Sequence, residues 1–272
     1  MEDFIHLHVH TQYSILDGQS KIPHLVDKAI KDGMKGMAVT DHGVMFGIKE
    51  LVDYCGKVNK DRKKEGLEPF KPIIGCEMYV ARRTKGDREK DKGDMSGYHL
   101  IVLAKNYNGY KNLIRLVSNS WVDGYYMRPR TDRADLEKYH EDLIVCSACI
   151  AGEVPAKILK GDIAGAREAC EWYHNLFGDD YYLELQRHKV QMTRVCLPTV
   201  RLTNCSRRRT RCSSSLPRNM ASSSSAPTTA TLKTRRLPRR TTTCSASPPA
   251  RTWTILTVCA IPSRSGSRPA RK

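Results

Sequence analysis

Apolar and polar residues alternate along residues 5–11, a pattern that predicts a half-buried strand. Because alternate side chains of a strand share a face, we expect His6, His8 and His10 on one face and the apolar residues between them toward the core. Three imidazoles on one strand face can bring two or more nitrogens within reach of one metal ion. A polar strand face with ordinary solvated histidines is the alternative interpretation.

Hydrophobic periodicity predicts further strands and helices in alternation as far as about residue 190. Strands are expected at residues 36–40, 72–80, 99–103, 143–146 and 182–185. Helices are expected after Ser20 as N-cap with Pro23 in the first turn, at residues 48–54 and 113–116, and twice within 152–177. Residues 82–97 are charged and contain glycine, which is typical of a long solvated loop. This order predicts an α/β fold with a parallel sheet or barrel.

Several side chains with metal-binding chemistry fall at or just after the predicted strand ends. They are His8, His10, Asp41, His42, Glu77 and Cys149. In parallel sheets and barrels the chemistry gathers at the carboxyl ends of the strands, so these groups should lie together. Imidazole, carboxylate and thiolate ligands suit borderline divalent ions. Ions held close together can activate water and stabilise the oxygens of a phosphoryl transition state.

Each candidate also has a purely structural interpretation. Asp41 and His42 could cap the helix that follows them, and Asp17, which precedes a glycine, could belong to a turn. His99 begins an apolar strand and could be a core histidine. Glu77 favours the metal-ligand interpretation, because an unpaired carboxylate in a buried strand is costly.

The charge is distributed unevenly along the 272 residues. The formal net charge is +17, but residues 191–272 hold 17 of the 46 Lys and Arg and none of the 29 Asp and Glu. The first 190 residues are therefore neutral, and their charge does not indicate a DNA-binding face.

Compartment and cysteine chemistry follow from what the sequence lacks. It has no apolar run long enough to predict a membrane span, and its start lacks the features of a secretory signal. We therefore expect a cytoplasmic protein whose ten cysteines are thiols or metal ligands. Cys146 and Cys149 form a Cys-x-x-Cys without a second such pair, so a zinc ribbon or redox motif is not predicted.

Six short motifs follow one another along the first 190 residues. The first three are His-Leu-His-Val-His-Thr-x-Tyr-Ser-x-Leu-Asp-Gly at 6–18, Val-Thr-Asp-His-Gly-x-Met-Phe-Gly at 39–47 and Lys-Pro-Ile-Ile-Gly-Cys-Glu-Met-Tyr-Val at 71–80. The others are Tyr-His-Leu at 98–100, Gly-Tyr-Tyr-Met-Arg-Pro-Arg-Thr-Asp at 124–132 and Ser-Ala-Cys-Ile-Ala-Gly-Glu at 147–153. In this order and spacing they resemble the amino-terminal PHP (polymerase and histidinol phosphatase) domain of bacterial replicative DNA polymerase III alpha subunits.

The resemblance implies a fold and a ligand set. The fold would be a distorted seven-stranded, TIM-like (β/α) barrel, here incomplete, over residues 1–190. Carried over by position, the metal ligands would be His8, His10, Asp17, His42, Glu77, His99 and Cys149. They would hold zinc, manganese or magnesium, in a cluster of up to three ions in the intact domain. The family's further Asp-x-His pair has no counterpart, since the last histidine is His188 and the last acid is Glu184.

The resemblance also implies a function within a larger protein. The intact site would be a phosphoesterase with 3′–5′ exonuclease activity, acting with DNA, the rest of the replicative polymerase and a proofreading exonuclease subunit. The polymerase carboxylates lie in a palm domain that this chain lacks, so the fragment itself should not polymerise. A non-catalytic scaffold and a stand-alone histidinol-phosphatase-type enzyme are the alternatives. The retained ligands argue against the scaffold, and residues 124–132 argue against the phosphatase.

Residues 191–272 differ abruptly in composition, being rich in Ser, Thr, Arg and Pro. One interpretation is a disordered basic tail. The favoured one is an out-of-frame translation, because a constant frame offset lets residues 219–234 derive from a string containing Asn-Asp-Cys-His-Phe-Glu-Asp. That string holds the missing Asp-x-His pair, with codons chosen in view of the family, and residues 252–266 decode similarly. We expect this tail to be poorly folded and not to complete the barrel, and we expect the metal site to bind weakly.

Overall fold

The computed structural model describes residues 4–15 and 17–186, together with the backbone of residues 255–257. The helices are α1 (Ile22–Lys31), α2 (Ile48–Lys64), α3 (Tyr107–Val122), α4 (Arg133–Tyr139), α5 (Glu153–Leu159) and α6 (Ile163–Phe177), with 3-10 turns at Lys90–Lys92 and Gly178–Asp180. The strands are β1 (Gly36–Val39), β2 (Lys71–Val80), β3 (Tyr98–Ala104), β4 (Tyr125–Tyr126), β5 (Arg128–Thr131), β6 (Leu143–Cys146), β7 (Tyr181–Leu185) and β8 (Ile255–Thr257).

The strands form one curled sheet in the order β4-β5-β2-β3-β6-β7-β8, with β1 paired to β2. Helices pack on its outer side, so the described residues form an incomplete, TIM-like α/β barrel, which confirms the predicted fold class.

The prediction of a parallel sheet does not hold for β3 and for the two-residue β4, which pairs antiparallel with β5. β3 runs antiparallel to both β2 and β6, whereas the β1–β2, β2–β5 and β6–β7 pairs are parallel. Residues 81–97 join β2 to β3 with a single 3-10 turn and no crossover helix. A parallel return between neighbouring strands needs such a crossover, so this connection returns the chain antiparallel.

The first segment is extended, but it is not the regular strand that its alternation predicts. His6 forms an isolated parallel bridge with Met37, and the backbone of Thr40 donates to Val9 at 2.9 Å. His8 and Val9 are both buried, so burial does not alternate along this segment. The segment therefore follows β1 as an irregular edge, which leaves His8 free to turn inward.

The predicted N-cap at Ser20 is also wrong. α1 begins after Lys21, whose side chain makes no capping hydrogen bond, and Pro23 is in the first turn. The Ser20 carbonyl instead accepts a hydrogen bond from the backbone of Gln12 at 3.0 Å. Three elements that periodicity did not predict, β4, β5 and α4, are too short to show a period.

The apolar core lies in three groups that hold the sheet in its curve. One lies between the β2–β3–β6 part of the sheet and helices α3 to α6, and a second joins α1 and α2 to β1. A third, smaller group includes Ala38, Ile101 and Cys146. These groups fix the strands whose ends carry the polar cluster described below.

Three residues of the tail add a short strand to the edge of the sheet. Residues 255–257 pair in parallel with β7, Leu183 opposite Ile255 and Leu185 opposite Thr257. Ile and Thr favour strands, and an edge such as that of β7 offers unpaired backbone groups to any short segment of this kind. The expectations for the rest of residues 191–272 lie outside the described residues. Among the helices of the described part, none is long and apolar enough to cross a membrane.

Candidate metal centre

Four elements bring the candidate ligands to one place. His8 and His10 lie on the segment beside β1, and His42 is the third residue after β1. Glu77 lies within β2, and its backbone bridges to that of His42. His99 is the second residue of β3, the antiparallel neighbour of β2. The sheet order thus places all five side chains near one another.

The carboxylate of Glu77 is the centre of the cluster, and only 1% of the residue is exposed. Its Oε1 lies 3.3 Å from His8 Nε2 and 3.0 Å from His99 Nδ1. Its Oε2 lies 3.6 Å from His10 Nε2 and also contacts His42 Nδ1. One buried carboxylate therefore contacts four imidazoles.

The two remaining candidates extend this cluster at its edges. Asp17 Oδ2 accepts a hydrogen bond from His42 Nε2 at 2.7 Å. Cys149 Sγ lies 3.7 Å from His99 Nδ1. The structure therefore places all seven predicted ligands in one connected set. Two triads within it have ligand atoms within 4.8 Å of one another and could each hold an ion: His8, His10 and Glu77, and His42, Glu77 and His99.

The pKa values show how strongly these groups depend on one another. Burial alone would raise the pKa of Glu77, but the adjacent imidazoles of His42, His8 and His99 hold it well below its usual value. Burial alone would lower the pKa of His8, but Glu184 and Glu77 outweigh burial and raise it to about 10.

The other imidazoles shift in both directions. Burial lowers the pKa of His10 to about 4; Glu77 opposes this shift, whereas His42 and His8 add to it. For His99, burial is outweighed by Cys149 and Glu77, which raise its pKa to about 9. The pKa of His42 is raised because Glu77 and Asp17 outweigh burial.

The donor set fits divalent metal ions. Two of its buried atoms, Glu77 Oε2 and His42 Nδ1, face each other in contact but have no hydrogen-bond partner in suitable geometry among the described residues. Unsatisfied buried polar atoms are costly, and a shared cation would satisfy both. Nitrogen, carboxylate and one thiol donor suit zinc or manganese.

The sequence analysis did not predict the residues that orient the candidate ligands. Glu184 on β7 is buried and accepts a hydrogen bond from His8 Nδ1 at 2.8 Å. Gln186 Nε2 donates to the same Glu184 oxygen at 2.6 Å. The signal was present in the sequence, because Glu184, like Glu77, is a carboxylate within an otherwise apolar strand.

Asp41 has a structural role, but not the helix cap considered above. Its carboxylate accepts hydrogen bonds from the Thr11 backbone at 2.6 Å, the Thr11 hydroxyl at 2.8 Å and Ser14 Oγ at 2.7 Å. Ser14 Oγ in turn lies 3.2 Å from His10 Nδ1. Asp41 thus fixes the loop that carries His10. Cys146 is fully buried in the core, whereas Cys149 is partly exposed beside His99.

A curled α/β half-barrel with a histidine-rich cluster around one buried carboxylate defines a class of protein that binds metal ions at strand ends. Residues 6–188 match the model of the PHP domain, and the chain belongs to that family.

Curated relatives narrow the resemblance further. The chain is 48% identical over 188 residues to the DNA polymerase III subunit alpha of Borreliella burgdorferi, covering 69% of this chain and 16% of that protein. It is 42% identical over 186 residues to that of Treponema pallidum, covering 68% and 15%. The chain thus spans about one sixth of these relatives. A solved amidohydrolase from Chromobacterium violaceum, 20% identical, aligns with 42% of this chain and 32% of its own at a TM-score of 0.28, too slight a likeness to interpret.

Proposed function

We propose that this chain is the PHP region of a longer replicative DNA polymerase, and that its histidine-rich cluster is a metal-dependent phosphodiesterase site. In the intact protein this site would remove nucleotides from a 3′ end. The similarity to DNA polymerase III alpha subunits supports the first part, although the chain spans only 16% of the relative from Borreliella burgdorferi. The geometry of the cluster supports the second part.

The observation that carries the proposal is the position of Glu77. A buried carboxylate in contact with four imidazoles provides negative charge where four nitrogen donors converge. A simple ion pair would need only one imidazole beside the carboxylate. Here Glu77 belongs to two adjacent triads, each of which could hold a metal ion. Closely spaced ions that share a carboxylate are typical of sites that act on phosphoryl groups.

The residues of the chain have distinct tasks in this site. His8, His10, Asp17, His42, Glu77, His99 and Cys149 would hold the ions, which when bound would supply a nucleophilic water at neutral pH and charge stabilisation for phosphate oxygens. The imidazoles and carboxylates act as ligands rather than as general bases. Glu184 and Asp41 hold His8 and the loop of His10 in place.

In this 272-residue chain the site should bind metal ions only weakly. The family's Asp-x-His pair is absent from residues 1–190, and we propose that a frame slip near residue 191 removed it. No polymerase activity is expected from the chain, because the palm carboxylates lie elsewhere in the family. Its natural setting would be the cytoplasmic replication machinery, with DNA, the remaining polymerase and a proofreading exonuclease as partners.

Metal binding tests the site directly. The full 272-residue chain should bind zinc or manganese, and a His8→Ala, His10→Ala double variant should lose that binding. The matched control is His24→Ala, His140→Ala, which removes two imidazoles outside the cluster. Equal metal binding by wild type and the His8, His10 variant would refute the site.

Nuclease activity tests the proposed reaction. A frame-restored protein should degrade single-stranded DNA with manganese or zinc, and the His8→Ala, His10→Ala variant should not. Metal binding without degradation would instead support the scaffold function. Degradation that persists in the double variant would assign the activity to another centre or to a contaminant.

A further inference from the structure

A pair of stacked aromatic side chains lies on the surface close to the metal centre. The rings of Trp121, near the end of α3, and Tyr125, on β4, are 5.5 Å apart between centroids with planes 18° apart. Trp121 is 44% exposed and Tyr125 48% exposed. Between β4 and β5, Met127 is 58% exposed and has a positive φ of 62°, which is uncommon for a side chain of this size. Such exposure of large apolar groups indicates a binding surface.

This pair is attached to the loop that carries His42. The indole Nε1 of Trp121 donates to the carbonyl of Gly43 at 2.8 Å, and the Gly43 amide donates to the Glu77 carbonyl at 2.8 Å. A Cβ added at Gly43 would lie 2.7 Å from Pro129 of β5, so the β4–β5 hairpin packs closely on this loop. The aromatic pair is therefore held at a fixed position beside the metal ligands.

A cation on β5, the strand that pairs with β4, lies near the candidate ligands. The guanidinium of Arg128 is 5.7 Å from the ring centroid of Tyr79. The Tyr79 ring in turn lies 5.1 Å from the ring of His99 and 6.2 Å from that of His42. Arg128 is exposed, and within residues 4–15 and 17–186 no carboxylate lies within 4.0 Å of it. Its charge is therefore available to an anion that approaches the centre.

We propose that Trp121, Tyr125 and Arg128 form a binding surface for single-stranded nucleic acid that leads into the metal centre. A nucleobase stacks on the exposed aromatic pair, and a backbone phosphate pairs with Arg128. This arrangement follows the usual design of single-strand binding surfaces, in which aromatic rings hold bases and cations hold phosphates. The inference rests on the proposed phosphodiesterase function, because it names single-stranded nucleic acid as the substrate of that centre.

A protein partner is the competing occupant, because Trp, Tyr and Arg are also common at protein interfaces. Two features favour nucleic acid. Among the described residues no carboxylate lies within 4.0 Å of Arg128, and the adjacent donor set suits phosphoryl chemistry. Bases also stack without sequence preference on parallel rings such as these, whereas a protein interface would need shape complementarity that two exposed rings do not supply.

The test measures binding of the full chain to a fluorescent single-stranded oligodeoxythymidylate in EDTA. An abasic oligomer of equal length and charge serves as the second ligand, because the basic residues 191–272 should bind both equally. Wild type should prefer the base-containing strand. Tyr125→Ala should weaken its binding about 5- to 150-fold and remove that preference. Arg128→Ala should weaken the binding of both oligomers. It should also lower the slope of log affinity against log salt concentration by about one.

The matched control is Tyr107→Ala, together with Lys111→Ala. Tyr107 is 73% exposed with the Lys111 ammonium 5.2 Å from its ring centroid, but it lies at the opposite end of α3. These variants should bind as wild type does. Equal binding of the two oligomers by wild type, or unchanged preference in Tyr125→Ala, would overturn the inference and leave protein docking as the use of this surface. Because EDTA removes metal ions, the result is independent of whether the centre hydrolyses phosphodiesters.

Discussion

Glu184 should control metal affinity although it was not predicted as a ligand. It accepts the proton of His8 Nδ1 at 2.8 Å, while His8 Nε2 faces Glu77 and His10, at 3.3 and 3.1 Å. A carboxylate behind a ligating imidazole fixes the ring and increases its basicity. Glu184→Gln keeps the shape of the side chain but removes its charge. Metal affinity should therefore fall about 10- to 100-fold.

Protons compete with the metal ion for His8, so the effect of Glu184→Gln on metal affinity should depend on pH. Glu184 also contributes to raising the pKa of His8 to about 10, so its removal lets the metal compete with fewer protons. Because a divalent ion carries twice the charge of a proton, removing the charge of Glu184 should weaken metal binding at His8 more than it weakens proton binding. The deficit of Glu184→Gln should accordingly be larger at pH 9 than at pH 7.

Competition with a chromophoric chelator measures this deficit in the full chain. Asp135→Asn is the control, because Asp135 is also a buried carboxylate with a cationic partner, Lys85 Nζ at 2.6 Å, but belongs to neither of the two triads found among the described residues. Its metal affinity should equal that of wild type. If Glu184→Gln binds zinc as tightly as wild type at both pH values, Glu184 does not support His8 as a ligand.

Three further predictions concern pH, packing and the tail. The pKa values of His8 and His99 rise from 6.5 to about 10 and about 9, so their contribution to folding is complete below pH 6.5 and is lost as pH rises through those values. The melting temperature of the metal-free chain should therefore fall between pH 7 and 10, and a flat profile would contradict the pairing. Gly43→Ala should lower stability by about 1–3 kcal/mol, because φ is +64° and the new Cβ would lie 2.7 Å from Pro129, with denaturant unfolding as the measurement; unchanged stability would show that the hairpin can shift. Resequencing the gene across the codons for residues 190–193 should show a frame slip, and an unbroken frame encoding the tail would refute it.

The order of the elements could be predicted because apolar periodicity is local. The strand predicted at residues 143–146 matches β6, and most other predicted elements overlap observed ones. Strand direction could not be predicted, since nothing local in Tyr98–Ala104 distinguishes a parallel from an antiparallel neighbour. That property depends on the path of residues 81–97, and hence on contacts distant in sequence.

The residue types at predicted strand ends, together with the family resemblance, were enough to identify seven candidate ligands. The tertiary structure alone decided how they meet: one buried carboxylate, Glu77, lies among four imidazoles, and Glu184 approaches His8 from a strand 176 residues away. It also placed Trp121 and Arg128 beside the cluster, although neither residue type binds metal ions. Ligand type is a property of single residues, whereas distance and desolvation arise only when the sheet curls, because they depend on which strands become neighbours.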